Sequence, residues 1–123
     1  MRVAPNLDIV APDGSEIRLL PQVGGASMVH CTLQPGRTTQ AVQHRTVEEL
    51  WYCLGGTGEL WRADAHGHQE VIRLEPGVAV NIPLGVRFQF RTLSSQALEL
   101  VIATAPPWPG PDETIALPGC WNT

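Results

Sequence analysis

Apolar and polar residues alternate in short runs along most of this chain, which is the pattern of β-strands with one buried face. In the run VRFQFRTL, residues 86–93, alternate positions are apolar, so Phe88 and Phe90 share one face of a strand. The opposite face, which we expect to point to solvent or to a partner subunit, carries Arg87, Gln89 and Arg91. No segment has a convincing helical period.

Turn residues separate these runs at close intervals, as they do in antiparallel sandwiches and barrels. Asp13-Gly14 and Pro76-Gly77 are examples, because glycine and proline supply the backbone angles that tight turns need. We therefore predict an all-β fold with antiparallel strands near residues 6–10, 15–20, 26–33, 41–44, 49–56, 58–64, 69–74, 78–83, 86–93 and 98–104.

The length of 123 residues fits one domain, residues 1–123, around a single hydrophobic core. With 43% hydrophobic residues, 12 glycines and 11 prolines, the composition is that of a globular and turn-rich protein. Residues 104–123 are too rich in proline for a central strand, because proline cannot donate a hydrogen bond to a sheet ladder. We expect this C-terminal segment to wrap around the surface.

Charge and cysteine content exclude several classes of function. The net charge is −4 and the arginines are scattered, so nucleic acid is not an expected partner. The absence of lysine excludes Schiff-base chemistry, covalently attached pyridoxal phosphate and a phosphate-loop lysine. Cys31, Cys53 and Cys120 form no C-x-x-C pair, so we expect neither a disulfide framework nor a thiolate zinc site, and a cytoplasmic location. No apolar run reaches the roughly 20 residues that span a bilayer, so no membrane partner is expected.

Two motifs of regular spacing carry a resemblance to a known family. The first has five, one, four and six residues between its members, which are Gly36, Val42, His44, Glu49 and Gly56. The second has five, one, two and three residues between its members, which are Gly77, Pro83, Gly85, Phe88 and Thr92. The glycine and proline spacing of both motifs resembles that of the cupin superfamily.

The resemblance implies a small antiparallel β-barrel of two sheets over residues 25–103, the jelly-roll-like double-stranded β-helix of cupins. In that family, three histidines and one glutamate usually hold a metal ion. Here Val42 and Phe88 stand at two of the histidine positions, and only His44 and Glu49 remain. We therefore expect no metal and no other cofactor; if an ion is bound, its candidate ligands are His44, Glu49 and His30.

Strand alternation then predicts a mostly apolar cavity whose lining includes Val42, Trp51, Cys53, Phe88 and Phe90. Apolar walls with a few polar groups are typical of a small-molecule pocket, and His44 and Glu49 are the polar candidates. His30 is a further candidate, although its strand can present either His30 or its neighbour Cys31 to the cavity. We interpret the remaining tryptophans as core or interface fillers, namely Trp61, Trp108 and Trp121.

Several of these residues have two interpretations. His44 is either an acid/base or ligand-orienting group, since histidine titrates near neutral pH, or a histidine hydrogen-bonded to Glu49 in a closed core. Glu49 inside an apolar cavity either pairs with His44 or has a raised pKa. Cys53 also fits a small buried apolar residue. His66 and His68 are predicted to lie in an exposed hairpin without a function.

The sequence thus predicts a metal-independent cupin that binds a small organic molecule, with His44 and Glu49 as catalytic residues. Isomerisation, epimerisation, cyclisation and dehydration are the reactions that acid/base groups in a dry cavity perform without a redox centre. The alternatives are a ligand-binding accessory module without catalysis and a metal-dependent oxygenase or isomerase. We also expect a homodimer, because exposed sheet edges must be covered, with residues 1–24 as exchanged strands.

Overall fold

Two antiparallel β-sheets face each other in the computed structural model, which describes residues 1–3 and 5–123. The first sheet has the order β1-β2-β3-β10-β5-β8, and its strands in chain order are β1 (Ile9–Val10), β2 (Glu16–Leu19), β3 (Ser27–Leu33), β5 (Glu48–Gly55), β8 (Ala79–Ile82) and β10 (Leu98–Ala105). The second sheet has the order β11-β4-β9-β6-β7, and its strands are β4 (Val42–His44), β6 (Gly58–Ala63), β7 (Gln69–Leu74), β9 (Arg87–Thr92) and β11 (Thr114–Ala116).

The arrangement is a jelly-roll-like sandwich, because no strand of the described chain belongs to both sheets. It confirms the all-β fold, and each strand expected from the sequence has a counterpart in the structure. A short 3-10 helix at Pro111–Glu113 precedes β11. Within the described residues, no helix combines the length and the apolar character needed to cross a membrane.

The core lies between the sheets and follows the period-two alternation of the strands. In β5, Trp51 and Cys53 are buried while Leu50, Tyr52 and Leu54 on the other face are exposed. In β10, the buried residues are Leu98, Leu100, Ile102 and Thr104. Burying each large apolar side chain stabilises the fold by about 1.5–3 kcal/mol, so these strands hold the two sheets together.

The N-terminal strands pair within the chain. β1 pairs with β2 through Ile9 and Ile17, and β2 pairs with β3 through Ile17 and Cys31. The turn between β1 and β2 is tied to the segment that leads into β4, because the backbone nitrogen of Gln40 donates to the carbonyl oxygen of Asp13 at 3.0 Å. This hairpin therefore covers one end of the space between the sheets.

The C-terminal segment folds over the outer face of the second sheet, which corrects the expected exposure of Gln89. Gln89 is buried; its side-chain nitrogen donates to the carbonyl oxygens of Thr39 and Trp121, at 2.9 Å each, and its side-chain oxygen accepts from the backbone nitrogen of Trp121 at 3.0 Å. The guanidinium carbon of Arg91 lies 4.2 Å from the ring centre of Trp121. Strand alternation identified the correct face, but it could not show that the chain itself covers that face.

The same segment contains β11, a strand that the sequence analysis missed. β11 pairs with β4, through Thr114 and His44 among others, at an edge of the second sheet. The run TIA between the prolines at 111 and 118 is long enough for three edge positions, and an edge strand needs only one hydrogen-bonded side.

Gly56, in the turn between β5 and β6, provides a test of this architecture. Its φ is 75°, and a Cβ atom there would lie 2.3 Å from the carbonyl oxygen of Ala97. Gly36 has the same φ of 75°, but a Cβ atom there would meet nothing within 4 Å. We expect Gly36→Ala to lower the free energy of unfolding by about 1 kcal/mol, from the backbone conformation alone. Gly56→Ala adds a clash with the backbone and should cost about 3 kcal/mol or more.

Urea unfolding followed by tryptophan fluorescence measures both variants against the wild type. Equal losses of unfolding free energy in the two variants would show that the close approach of Gly56 to the backbone of Ala97 does not constrain the fold.

Candidate functional site

A cavity of about 270 Å³ lies between the sheets beneath the N-terminal hairpin. The exposed side chains among its lining residues mark its mouth, and they include Ile9, Leu19, Gln22 and Met28. The interior is mainly apolar and aromatic, with Val42, Trp51, Phe88, Phe90 and Trp108 in its walls. Apolar walls around a few polar groups are typical of cavities that bind small molecules.

The aromatic residues pack edge to face. The ring centre of Trp51 lies 4.9 Å from that of Phe90, at an interplanar angle of 74°, and 5.5 Å from that of Phe88, at 87°. Such T-shaped contacts are favourable because the positive edge of one ring meets the negative face of another. They hold Trp51 in place beside the polar groups of the cavity.

His44 ends β4 and is buried, with 7% of its surface exposed. Its ring centre lies 5.2 Å from that of Phe88 and 5.3 Å from that of Trp108. Burial lowers the pKa of His44, and the nearby charge of Glu113 acts weakly in the opposite direction. Its Nδ1 atom has no hydrogen-bond partner among the described residues. His44 is therefore a neutral imidazole at neutral pH, with one nitrogen unused by the protein.

Glu49 lies in β5 opposite Thr104 of β10, and its carboxyl group faces the cavity. The indole nitrogen of Trp51 donates to Oε1 and the hydroxyl of Thr104 donates to Oε2, at 3.0 Å each. Burial raises the pKa of Glu49 to about 7, although these two hydrogen bonds act to lower it. The partners of Glu49 are thus Trp51 and Thr104 rather than His44, and of the two predicted alternatives the structure has the raised pKa.

Asp13 is a polar group of the cavity that the sequence analysis missed. It lines the cavity from the turn between β1 and β2, where its Oδ1 accepts hydrogen bonds from the backbone nitrogen of Ser15 at 3.0 Å and from the Ser15 hydroxyl at 2.7 Å. Burial raises the pKa of Asp13, and the hydrogen bonds from Ser15 oppose that shift. The Asp-Gly pair correctly indicated a turn, but no local signal shows that this turn closes over residues far along the chain.

Two predicted ligand-binding residues lie outside the cavity. In β3, Cys31 faces inward and lines the cavity, so His30 points to the opposite face. There the Nε2 atom of His30 lies 2.6 Å from the carboxylate of Glu99, which also accepts a hydrogen bond from the Thr32 hydroxyl at 2.7 Å. Cys53 does face inward, but it is buried in the core beyond the cavity, with its thiol 3.6 Å from the carbonyl oxygen of Gly55.

The other predicted residues lie together around the cavity: His44, Glu49, Val42, Trp51, Phe88 and Phe90. Trp108 joins them, although the sequence indicated only a filler, because the C-terminal segment brings it against His44. His66 and His68 lie in the exposed turn between β6 and β7, where the His68 ring is 3.1 Å from the carboxylate of Asp64.

The residues at the expected metal position do not fit a metal ion. Val42 and Phe88 are directly opposite each other in the β4–β9 pair, so the two positions without a ligand lie side by side and form one apolar wall. Across residues 1–3 and 5–123, no three His, Cys, Asp or Glu side chains are grouped so that they could hold an ion. Catalytic zinc and non-haem iron sites normally need three protein ligands, and His44 and Glu49 provide two.

Comparison with known proteins places this geometry in a family. The Cupin domain family matches residues 29–104. The xanthan biosynthesis protein XanB of Xanthomonas campestris pv. campestris (strain B100) is 30% identical over 84 residues, which are 68% of this chain and 17% of that protein. The chain thus spans less than a fifth of the length of this curated relative.

Solved structures share the fold. A variant of oxalate decarboxylase from Bacillus subtilis superposes with a TM-score of 0.77 at 17% identity, over 90% of this chain and 30% of that one. That enzyme has Mn(II) centres. The protein BH2720 of Bacillus halodurans superposes with a TM-score of 0.69 at 18% identity, over 82% of this chain and 74% of that one. With the family match over residues 29–104, these findings show that the chain belongs to the cupin family.

Proposed function

We propose that this cupin binds a small organic molecule in the cavity between its sheets and catalyses proton transfer on it, with Glu49 and His44 as the catalytic residues. One observation carries the proposal: Glu49, whose pKa is raised to about 7, and the neutral, partly unpartnered His44 line the same cavity. A carboxyl group that burial shifts towards neutral pH, together with an imidazole that burial keeps neutral, is typical of acid/base sites.

The two groups have complementary roles. At neutral pH a carboxyl group with a pKa of about 7 is present in both its protonated and its ionised form, so Glu49 can either give or take a proton. The neutral imidazole of His44, which lines the same cavity, accepts a proton from the ligand or, after protonation, returns it. Moving a proton off one atom and onto another is the chemistry of isomerases and epimerases, and cyclisation and dehydration need the same two groups.

The cavity provides the surroundings that this chemistry needs. Its aromatic walls keep bulk water away from the reacting atoms, which strengthens each charge interaction and limits side reactions. The apolar pair Val42 and Phe88 gives no support to a metal-dependent oxygenase, and His30 on the outer face does not complete such a site. Decarboxylation of oxalate, the reaction that the name of the B. subtilis enzymes indicates, is therefore not part of this proposal.

We also propose that the protein forms a homodimer in a reducing cytoplasm. The outer face of β5 supports the dimer, since Leu50, Tyr52 and Leu54 are exposed on it, with Leu50 65% exposed. Exposed apolar patches of this kind on soluble proteins often mark protein contacts. Exchange of the N-terminal strands stays a separate prediction. The three cysteines are free, which fits a reducing compartment.

Turnover in deuterated water tests the catalytic proposal. Pools of small metabolites are incubated with the protein and followed by proton NMR, where isomerases and epimerases exchange a carbon-bound proton for deuterium and dehydratases or cyclases give new signals. We expect conversion of one compound class. The rate in Glu49→Gln should be lower than in the wild type by a factor of about 100 or more. Glu48→Gln, which removes the exposed neighbouring carboxylate, should retain the wild-type rate.

A compound that binds in the cavity but is never converted would instead identify a ligand-binding module without catalysis. One metal ion per chain in the purified protein, lost in His44→Ala, would favour the metal-dependent alternative.

The raised pKa of Glu49 predicts a pH dependence of stability. Between pH 4.5, the ordinary pKa, and about 7, the unfolded chain loses the Glu49 proton while the folded protein keeps it. The folded state then binds more protons than the unfolded state, so stability falls as the pH rises through this window. As the pH rises from 4.5 to 7.5, we expect the free energy of unfolding of Glu49→Gln to increase by about 2 kcal/mol relative to that of the wild type. This value allows for the partial exposure of the carboxyl group.

Urea unfolding of both proteins at several pH values measures this difference, and a carbon-13 NMR titration of the Glu49 carboxyl measures its pKa directly. Glu48→Gln is the matched control and should run parallel to the wild type. A constant difference between Glu49→Gln and the wild type from pH 4.5 to 7.5 would contradict the buried, proton-holding state of Glu49.

The dimer proposal predicts the mass of the protein in solution. Light scattering at micromolar concentration should give twice the 13.4 kDa of one chain. Leu50→Asp, on the outer face of β5, should shift the mass to one chain because it places a charge in the contact. Leu84→Asp, at a comparably exposed leucine in the turn between β8 and β9, should leave the dimer intact. A single-chain mass for the wild type would reject the dimer.

A further inference from the structure

The ionisable side chains that line the cavity include two carboxyl groups, those of Asp13 and Glu49, and the imidazole of His44, which burial keeps neutral at neutral pH. Asp13 enters from the turn between β1 and β2, and Glu49 enters from β5 of the same sheet. Among the described residues that line the cavity there is no arginine, and the chain contains no lysine. The ionised Asp13 also acts on Glu49 across the cavity, where it adds to the effect of burial in raising the pKa of Glu49. The described lining residues therefore include no permanently positive side chain beside either carboxylate.

The aromatic walls of the cavity favour a cation, as the carboxyl groups do. Trp51, Phe88, Phe90 and Trp108 all line the cavity, and the faces of aromatic rings are negative. A cation held against such faces is attracted by their quadrupoles, most strongly when water is excluded. An anion would be repelled by the ionised carboxylates and by each ring face turned towards it.

His44 also lines the cavity, and its hydrogen-bonding capacity is not fully used. Its Nδ1 atom is buried without a partner among the described residues, although buried nitrogen atoms of this kind are nearly always hydrogen-bonded in folded proteins. This feature is independent of the carboxyl groups, and it favours a ligand with at least one hydrogen-bonding group. A volume of about 270 Å³ suffices, since a cavity of about 150 Å³ admits benzene.

We propose that the cavity selects an organic cation, such as a protonated amine or an ammonium group on a small apolar body, and that Asp13 is a second anionic binding residue beside Glu49. The inference rests on the proposed function and names the substrate class of the same site. The cation lies against the aromatic walls and between the two carboxylates, and the rest of the molecule reaches His44. Small carboxylates and phosphates are excluded by charge.

Three probes of nearly equal size separate charge from shape: benzylamine, benzyl alcohol and benzoate. Binding is followed at pH 8 through the indole nitrogen–proton NMR signal of Trp51, because this group donates to Glu49 and reports contact with it. We expect benzylamine to bind more tightly than benzyl alcohol by a factor of about ten or more. Benzoate should produce no shift of the Trp51 signal at millimolar concentration.

Asp13→Asn tests the new binding residue. The amide keeps an oxygen that can accept the hydrogen bonds from Ser15, so the turn is preserved while the charge is lost. We expect its dissociation constant for benzylamine to rise about fivefold or more, with that for benzyl alcohol unchanged. Asp64→Asn is the control, because Asp64 also accepts a backbone hydrogen bond from the second following residue, His66, but lies in an exposed turn outside the cavity.

The outcomes are distinct. If benzyl alcohol or benzoate binds as tightly as benzylamine, the charge selection is overturned while a small-molecule cavity remains. If Asp13→Asn weakens all three probes equally, or none, Asp13 is not a binding residue for the cation. If no probe shifts Trp51 in the wild type, the cavity does not take small organic molecules, and the proposed function is overturned together with the selection of cations.

Discussion

A carboxyl group held inside an apolar sandwich is the constraint on which the site depends. Glu49 is kept there by hydrogen bonds from Trp51 and Thr104, which come from the two adjacent strands β5 and β10. Two neutral donors lessen the cost of burying the carboxylate but do not remove it, so the proton is retained to about pH 7. The edge-to-face packing of Trp51 against Phe88 and Phe90 fixes one of these donors. The packing of the aromatic rings therefore helps to set the proton affinity of Glu49.

The pair Val42 and Phe88 gives the cavity an apolar wall within a cupin fold. The two residues are opposite each other across β4 and β9, at the spacing where the cupin motifs place histidines. Two adjacent apolar side chains leave no unpaired polar group between them, whereas the Nδ1 atom of the neighbouring His44 has no partner among the described residues. The glycine and proline positions of the motifs, which set the turns, are unchanged.

Much of the fold could be predicted from the sequence because it depends on local patterns. Alternation gave the strands and the inward set Trp51, Phe88 and Phe90, and turn residues separated them. What could not be predicted depends on contacts between distant segments. The strand of His30 has plausible residues on both faces, so alternation alone does not decide which face is inward. Asp13 reaches the cavity only because a hairpin closes over it, as the bond from Gln40 to the carbonyl oxygen of Asp13 shows.

Trp108 packs against His44 in the cavity wall, but it belongs to the segment that follows the ten strands expected from the sequence. Two contacts farther along anchor this segment. Trp121 is hydrogen-bonded to Gln89, and the carboxylate of Glu113 accepts a hydrogen bond from the backbone of Thr46. The wall beside His44 is therefore supplied by a different part of the chain from the strands that hold Glu49. A substitution in the C-terminal segment can change the surroundings of His44 while the hydrogen bonds of Glu49 to Trp51 and Thr104 stay intact.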